Sequence, residues 1–159
     1  MASLFVADHH RPHRVAVIGH SGRGGYGHGL DVAWRRILGV EIVGIADPDK
    51  EGCQKALDRL KLNRGYSDYR KMLQETLPEF VSVAPGHPDQ HSDMTLAAIE
   101  AGVKGIYVEK PFCRVPAESD LMIDAADRRG TKTAVAHRNR YHLALPVVKR
   151  LVEDGAIGF

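Results

Sequence analysis

Val15-Ala16-Val17-Ile18-Gly19-His20-Ser21-Gly22-Arg23-Gly24-Gly25-Tyr26-Gly27-His28-Gly29 is the stretch that decides the fold of this 159-residue chain. Four apolar residues, three of them β-branched, run without a polar break and give way at once to glycines, as a strand covered on both faces does when it ends in a tight turn. Outward from it, similar short runs recur at 40–46, 80–84, 105–108 and 133–136. Between the runs the apolar period lengthens to that of a helix. Leu30, Ala33, Trp34, Ile37 and Leu38 make one stripe, with Gly39 as its C-cap. Cys53, Ala56, Leu57 and Leu60 make a second, and Met94, Ala97, Ala98 and Ala101 a third that stops at Gly102. Pro116 suits the first turn of a helix over 117–128. A shorter helix is expected over 67–75, with Tyr69, Met72 and Leu73 inward, and a last one carries Ala144, Val148, Leu151 and Val152 to Gly155. Strands alternating with helices at this spacing predict an α/β fold, a doubly wound parallel sheet of the Rossmann type, whose ligands sit beyond the carboxyl ends of the strands.

Composition narrows the function classes. The formal charge is only +2, and the basic pairs Arg35-Arg36 and Arg128-Arg129 are not interleaved with aromatics, so no nucleic-acid partner is expected. No apolar run approaches the roughly 20 residues of a membrane span. Cys53 and Cys113 lie far apart without metal or redox spacing, which fits a reducing, cytoplasmic setting. Residues 1–14 carry His9, His10 and His13 and are expected to be a disordered leader, not a metal site. Residues 15–155 form one dinucleotide-binding domain, and 156–159 look like the start of a missing second domain.

Within the glycine turn, Gly19 and Gly24 stand at the first and third places of a phosphate-cradling motif, and Ser21 at the second, where Gly22 relieves the crowding. Amide groups at a following helix start would face an anion, with Ser21, Arg23 or His28 adding side-chain donors. Asp47, at the end of the second run, is the candidate acceptor for the two hydroxyls of an adenosine ribose. Its charge would repel a 2′-phosphate, which favours NAD over NADP, with Arg23 and Lys50 as the residues able to reverse that. The plainer alternative makes Asp47 and Asp49 a turn and a helix cap. His87 and His91 are four apart, but Pro88 lies between them and no third ligand is near, so no metal site is expected.

The remaining strand ends read Pro85-Gly86-His87-Pro88-Asp89-Gln90-His91 and Glu109-Lys110-Pro111. Together with the glycine turn, Asp47, Tyr66-Ser67-Asp68-Tyr69 and Arg140-Tyr141, they resemble the Gfo/Idh/MocA family of oxidoreductases over nearly the whole chain. The Glu-Lys-Pro tripeptide is the most specific part. Pro85 and His91 match the family pattern, while Gly86 departs from it. The resemblance implies that Lys110 binds the substrate hydroxyl and helps move its proton during hydride transfer. A lysine partly desolvated at a cluster of strand ends suits that role. It further implies cofactor contacts at Pro85, His91, Glu109, Lys110 and Pro111, a cis bond before Pro111, and a cleft lined by His137 and Arg140.

The expected activity is hydride transfer between a nicotinamide cofactor and a sugar, polyol or related hydroxy compound. The family resemblance places the other catalytic partners, and the sheet through which a homo-oligomer forms, in a second domain. A nucleotide-binding module without turnover is the alternative, and an S-adenosylmethionine-binding methyltransferase a distant third, against which Glu109-Lys110-Pro111 speaks.

Overall fold

In the computed structural model, which describes residues 11–158, all five apolar runs are strands: β1 (His13–Ile18), β2 (Val40–Ala46), β4 (Phe80–Val83), β5 (Gly105–Val108) and β6 (Lys132–Val135). A two-residue strand, β3 (Gly65–Tyr66), joins them. The sheet is parallel throughout, in the order β3-β2-β1-β4-β5-β6. Successive side chains of a strand face opposite layers. Ala16, Ile18, Val81, Val83, Ile106 and Val108 therefore pack on one face with Met72, Met94, Ala98 and Ile99. Val17 and Ile45 pack on the other with Leu30, Ala56, Leu57 and Leu60.

Helices α1 (Lys50–Leu60), α2 (Tyr69–Thr76), α3 (His91–Glu100), α4 (Pro116–Arg129) and α5 (Leu145–Glu153) follow the predicted stripes. Their starts are set locally. The Asp49 carboxylate accepts from the Gly52 amide at 2.6 Å and caps α1, and Asp68 accepts from the Arg70 amide at 2.8 Å and caps α2. Pro116 opens α4, and left-handed Gly130 ends it.

Two expectations are corrected. No α-helix covers 30–38: the segment is a series of turns with one 3-10 stretch, Ala33–Arg36. Gly24, Gly25, Gly27 and Gly29 all have positive φ, a conformation that an α-helix cannot contain. Leu30 is buried and Trp34 donates to the Ser82 hydroxyl at 2.7 Å, but Ile37 and Leu38 face solvent, and Gly39 ends a turn rather than a helix. The expected boundary at residue 14 also moves, because His13 and Arg14 belong to β1. The other two histidines of the expected leader, His9 and His10, lie outside the described residues.

Candidate functional site

Crossovers run one way from β1 to β2 and the opposite way from β4 to β5, so a crevice opens beyond the carboxyl ends of β1 and β4. Five segments meet there: the glycine turn after β1, Asp47 after β2, the Pro85 loop after β4, Glu109-Lys110-Pro111 after β5, and His137 to Arg140 after β6. The turn and the Pro85 loop touch backbone to backbone. A Cβ on left-handed Gly24 would come within 2.8 Å of the Gly86 Cα, so the contact requires glycine at 24, while a Cβ on Gly86, the departure from the family pattern, would lie 3.2 Å from the Gly24 carbonyl oxygen. The His87 amide donates to the Arg23 carbonyl at 3.1 Å, and the Arg23 guanidinium pairs with Asp89 at 3.4 Å. Gly24 thus serves loop-to-loop contact, not packing of a helix on β1. No α-helix begins at the turn to aim its amides at an anion; Ser21–Arg23 is a single 3-10 turn.

Asp47 is buried. Its carboxylate accepts from the Ser21 amide at 3.0 Å, the Ser21 hydroxyl at 2.7 Å and the Asp49 amide at 3.0 Å. Burial, followed by the nearby Asp47 charge, pushes the Tyr26 phenol far above its usual range and raises the Cys53 thiol as well. The Tyr26 hydroxyl and His20 Nδ1 are buried without a hydrogen-bond partner, while Ser21, Gly22 and Arg23 on the crest of the turn are exposed.

Glu109 is the second buried carboxylate. It accepts from the His28 amide at 2.9 Å and the Lys110 amide at 2.9 Å, and faces His28 Nδ1 at 3.2 Å. Burial alone would raise its carboxyl, but these donors outweigh it and hold the group below the usual range. Lys110 itself is exposed, so the partial desolvation expected of it is absent. The Lys110–Pro111 bond is cis. Lys110, His137 and Arg140 line one cavity of about 350 Å³ together with His28, Ala136, Arg138 and Asn139.

His91 is fully buried at the start of α3, where it has no room to meet a ligand. Its Nε2 lies 2.8 Å from the Pro85 carbonyl and its Nδ1 2.9 Å from the Pro111 carbonyl. The ring therefore ties together the two loops that flank the crevice. Both partners are acceptors, so the tautomer of the ring decides which carbonyl receives the N–H.

Sequence reasoning gave His28 only as a phosphate donor and did not single out Arg138 or Asn139. The signal for His28 was local: a histidine in a glycine run, next to a glycine that leaves room for a carboxylate from another strand end. Among the described residues, no group of three or more His, Cys, Asp or Glu side chains is placed to hold a metal ion, and no helix is long and apolar enough to cross a membrane.

Comparison with known proteins identifies the family and the fold. Residues 13–137 match the family described as "Oxidoreductase family, NAD-binding Rossmann fold". The chain is 37% identical over 126 residues to D-apiose dehydrogenase of Paraburkholderia graminis, covering 79% of this chain and 33% of the relative. It is 34% identical over 115 residues to levoglucosan dehydrogenase of Pseudarthrobacter phenanthrenivorans, covering 72% and 29%. The crystal structure of myo-inositol 2-dehydrogenase from Lactobacillus plantarum superimposes with a TM-score of 0.76 at 27% identity, over 93% of this chain and 43% of that one. The chain thus spans about a third of the length of these curated relatives.

Proposed function

This chain belongs to the Gfo/Idh/MocA oxidoreductases, whose first domain is an NAD-binding Rossmann fold, and we propose that residues 15–155 are the dinucleotide-binding domain of an enzyme oxidising or reducing a sugar or polyol. One observation carries the proposal: Lys110, after β5, and His137 and Arg140, after the neighbouring β6, share one cavity at the carboxyl ends of the strands. The relatives named for D-apiose, levoglucosan and myo-inositol set the substrate class. Family membership favours this reading over a module without turnover and over a methyltransferase.

The residues present fit a nicotinamide dinucleotide. The crest of the glycine turn is exposed beside the unpartnered His20 Nδ1, a polar opening where a diphosphate would lie. Ser21 Oγ gives Asp47 the kind of hydroxyl hydrogen bond that an adenosine ribose would bring, so ribose binding would exchange one hydroxyl for another. That exchange favours NAD, since a 2′-phosphate would face a buried carboxylate. The bound nicotinamide supplies the hydride acceptor. Lys110 holds the substrate hydroxyl and, with Arg140, stabilises negative charge on its oxygen, while His91 and Glu109 fix the Lys110 segment from behind. Two free cysteines suit a reducing, cytoplasmic location.

Calorimetric titration with NAD, NADP and S-adenosylmethionine tests the cofactor: NAD should bind, more tightly than NADP. An Asp47→Asn variant should lose affinity for NAD more than for NADP. In the full-length protein, assayed on D-apiose, levoglucosan and myo-inositol, Lys110→Ala should reduce kcat by about 100-fold or more. Failure of the chain to bind either nicotinamide cofactor, or an unimpaired Lys110→Ala enzyme, would overturn the proposal.

A further inference from the structure

We propose that the Ser21 hydroxyl is a latch on the cofactor site: in the free protein it occupies the Asp47 oxygen that an adenosine ribose would use, and it must turn away before the ribose binds. The inference rests on the dinucleotide reading above and adds what controls the affinity of that site. Asp47 is 1% exposed, so a ribose hydroxyl does not reach its carboxylate while the present contacts hold. The chain itself satisfies both oxygens. Oδ1 accepts from the Ser21 amide at 3.1 Å and the Asp49 amide at 3.0 Å, and Oδ2 from the Ser21 amide at 3.0 Å and the Ser21 hydroxyl at 2.7 Å.

Local geometry makes the hydroxyl, and not the amides, the movable member. Ser21 is exposed on the crest of the turn, in a 3-10 stretch of three residues. The base of the turn is clasped without the serine side chain. His20 and Gly25 exchange backbone hydrogen bonds at 3.0 and 2.9 Å, and the Arg23 amide donates to the His20 carbonyl at 2.8 Å. Rotation about χ1 of Ser21 therefore releases Oδ2 and breaks no backbone hydrogen bond. Gly52 faces the same spot from the first turn of α1. A Cβ there would lie 1.8 Å from Ser21 Oγ and 3.1 Å from Asp47 Oδ2, so the hydroxyl fills the space that this glycine leaves beside the carboxylate. Its departure frees both that space and a lone pair of a buried anion, to which a ribose hydroxyl can donate. A hydrogen bond to a charged group keeps the closed rotamer in excess, and apparent affinity falls with the open fraction. With about one molecule in ten open, the cofactor binds about tenfold more weakly than it would to an unlatched site.

Calorimetric titration of this chain and its Ser21→Ala variant tests the latch, with two ligands: NAD, and ADP, which carries the same ribose and diphosphate without the nicotinamide. Ser21→Ala should bind both about tenfold more tightly than the parent, while its urea midpoint falls because a buried carboxylate has lost a donor. The opposite signs separate a latch from a merely structural hydroxyl, whose removal lowers the midpoint and leaves affinity where it was. Unchanged or weaker binding by Ser21→Ala overturns the latch, and so does a gain for NAD that ADP does not share. A midpoint that does not fall also overturns it, since the hydroxyl bond would then be absent in solution. If ADP binds and neither nicotinamide cofactor does, the oxidoreductase reading fails, and the comparison with ADP still decides the latch. If neither ligand binds either protein, both fail together.

Discussion

Gly27 shows how much of this site depends on single backbone positions. Its φ of +54° lies in the left-handed region, and a Cβ there would overlap the Glu109 carboxylate. Gly25 has a similar φ of +63°, but a Cβ there meets nothing within 4 Å. Alanine at Gly25 therefore carries only the conformational penalty, about 1 kcal/mol. Alanine at Gly27 adds displacement of a buried, hydrogen-bonded carboxylate and should cost about 3 kcal/mol. Urea unfolding of both variants checks the gap; equal losses would mean that the carboxylate moves aside freely. Neither the Gly27–Glu109 contact nor the Ser21–Asp47 pairing was legible in the sequence. Each joins residues 26 or more positions apart, and a one-dimensional pattern records a residue's own period, not which distant side chain needs its space. Lys110, His137 and Arg140 were legible because they follow strand ends, where the parallel topology alone brings them together.

Strands were the most legible elements, since burial on both faces leaves short continuous apolar runs, but β3 spans two residues and has no period to detect. The stripe at 30–38 misled for a physical reason: its spacing is real, yet positive φ at four glycines just before it breaks the backbone into turns. At the opposite end of the sheet, Glu79 joins the starts of three strands. Its carboxylate accepts from Lys104 Nζ at 2.6 Å and from the Arg14 amide at 3.2 Å, and its own amide donates to the Arg14 carbonyl at 2.8 Å. The Lys104 hydrogen bond, helped by the Arg14 amide and the His13 ring and opposed by burial, lowers its pKa from 4.5 to about 2. A depressed folded-state value stabilises the fold above the unfolded value and is lost as the pH falls through the folded one. Because the Lys104 side chain is 67% exposed, solvent screening reduces the contribution to about 1–2 kcal/mol. The stability gap between parent and Glu79→Gln should thus be full at pH 6 and close between pH 4.5 and about 2. A gap independent of pH across that window, followed by denaturant titration, would remove Glu79 from the acid response.

At the scale of the whole domain, the described residues leave two broad apolar surfaces uncovered. On the sheet, the short 3-10 segment at Ala33–Arg36 leaves a cavity of about 490 Å³ over β5 and β6, lined by Trp34, Ile37, Phe80, Ile106, Tyr107 and Ala134. On α5, Leu145, Val148, Leu151 and Val152 share a stripe, yet each is at least 40% exposed. The stripe was legible at Val148, Leu151 and Val152, while Ala144, read as part of it, is the N-cap; periodicity states only that a face is apolar and not what lies against it. Stability of this chain should therefore reside in the sheet and α1 to α4. Leu57, 9% exposed on α1, should cost about 2–5 kcal/mol when changed to alanine. Leu151→Asp, a harsher chemical change on α5, should cost less than about 0.5 kcal/mol in the same chain, since the substituted side chain stays in water. Urea midpoints of the two variants make the comparison direct. A loss above about 1.5 kcal/mol for Leu151→Asp would exceed the usual range for an exposed position and would show that α5 packs against the body of the domain in solution.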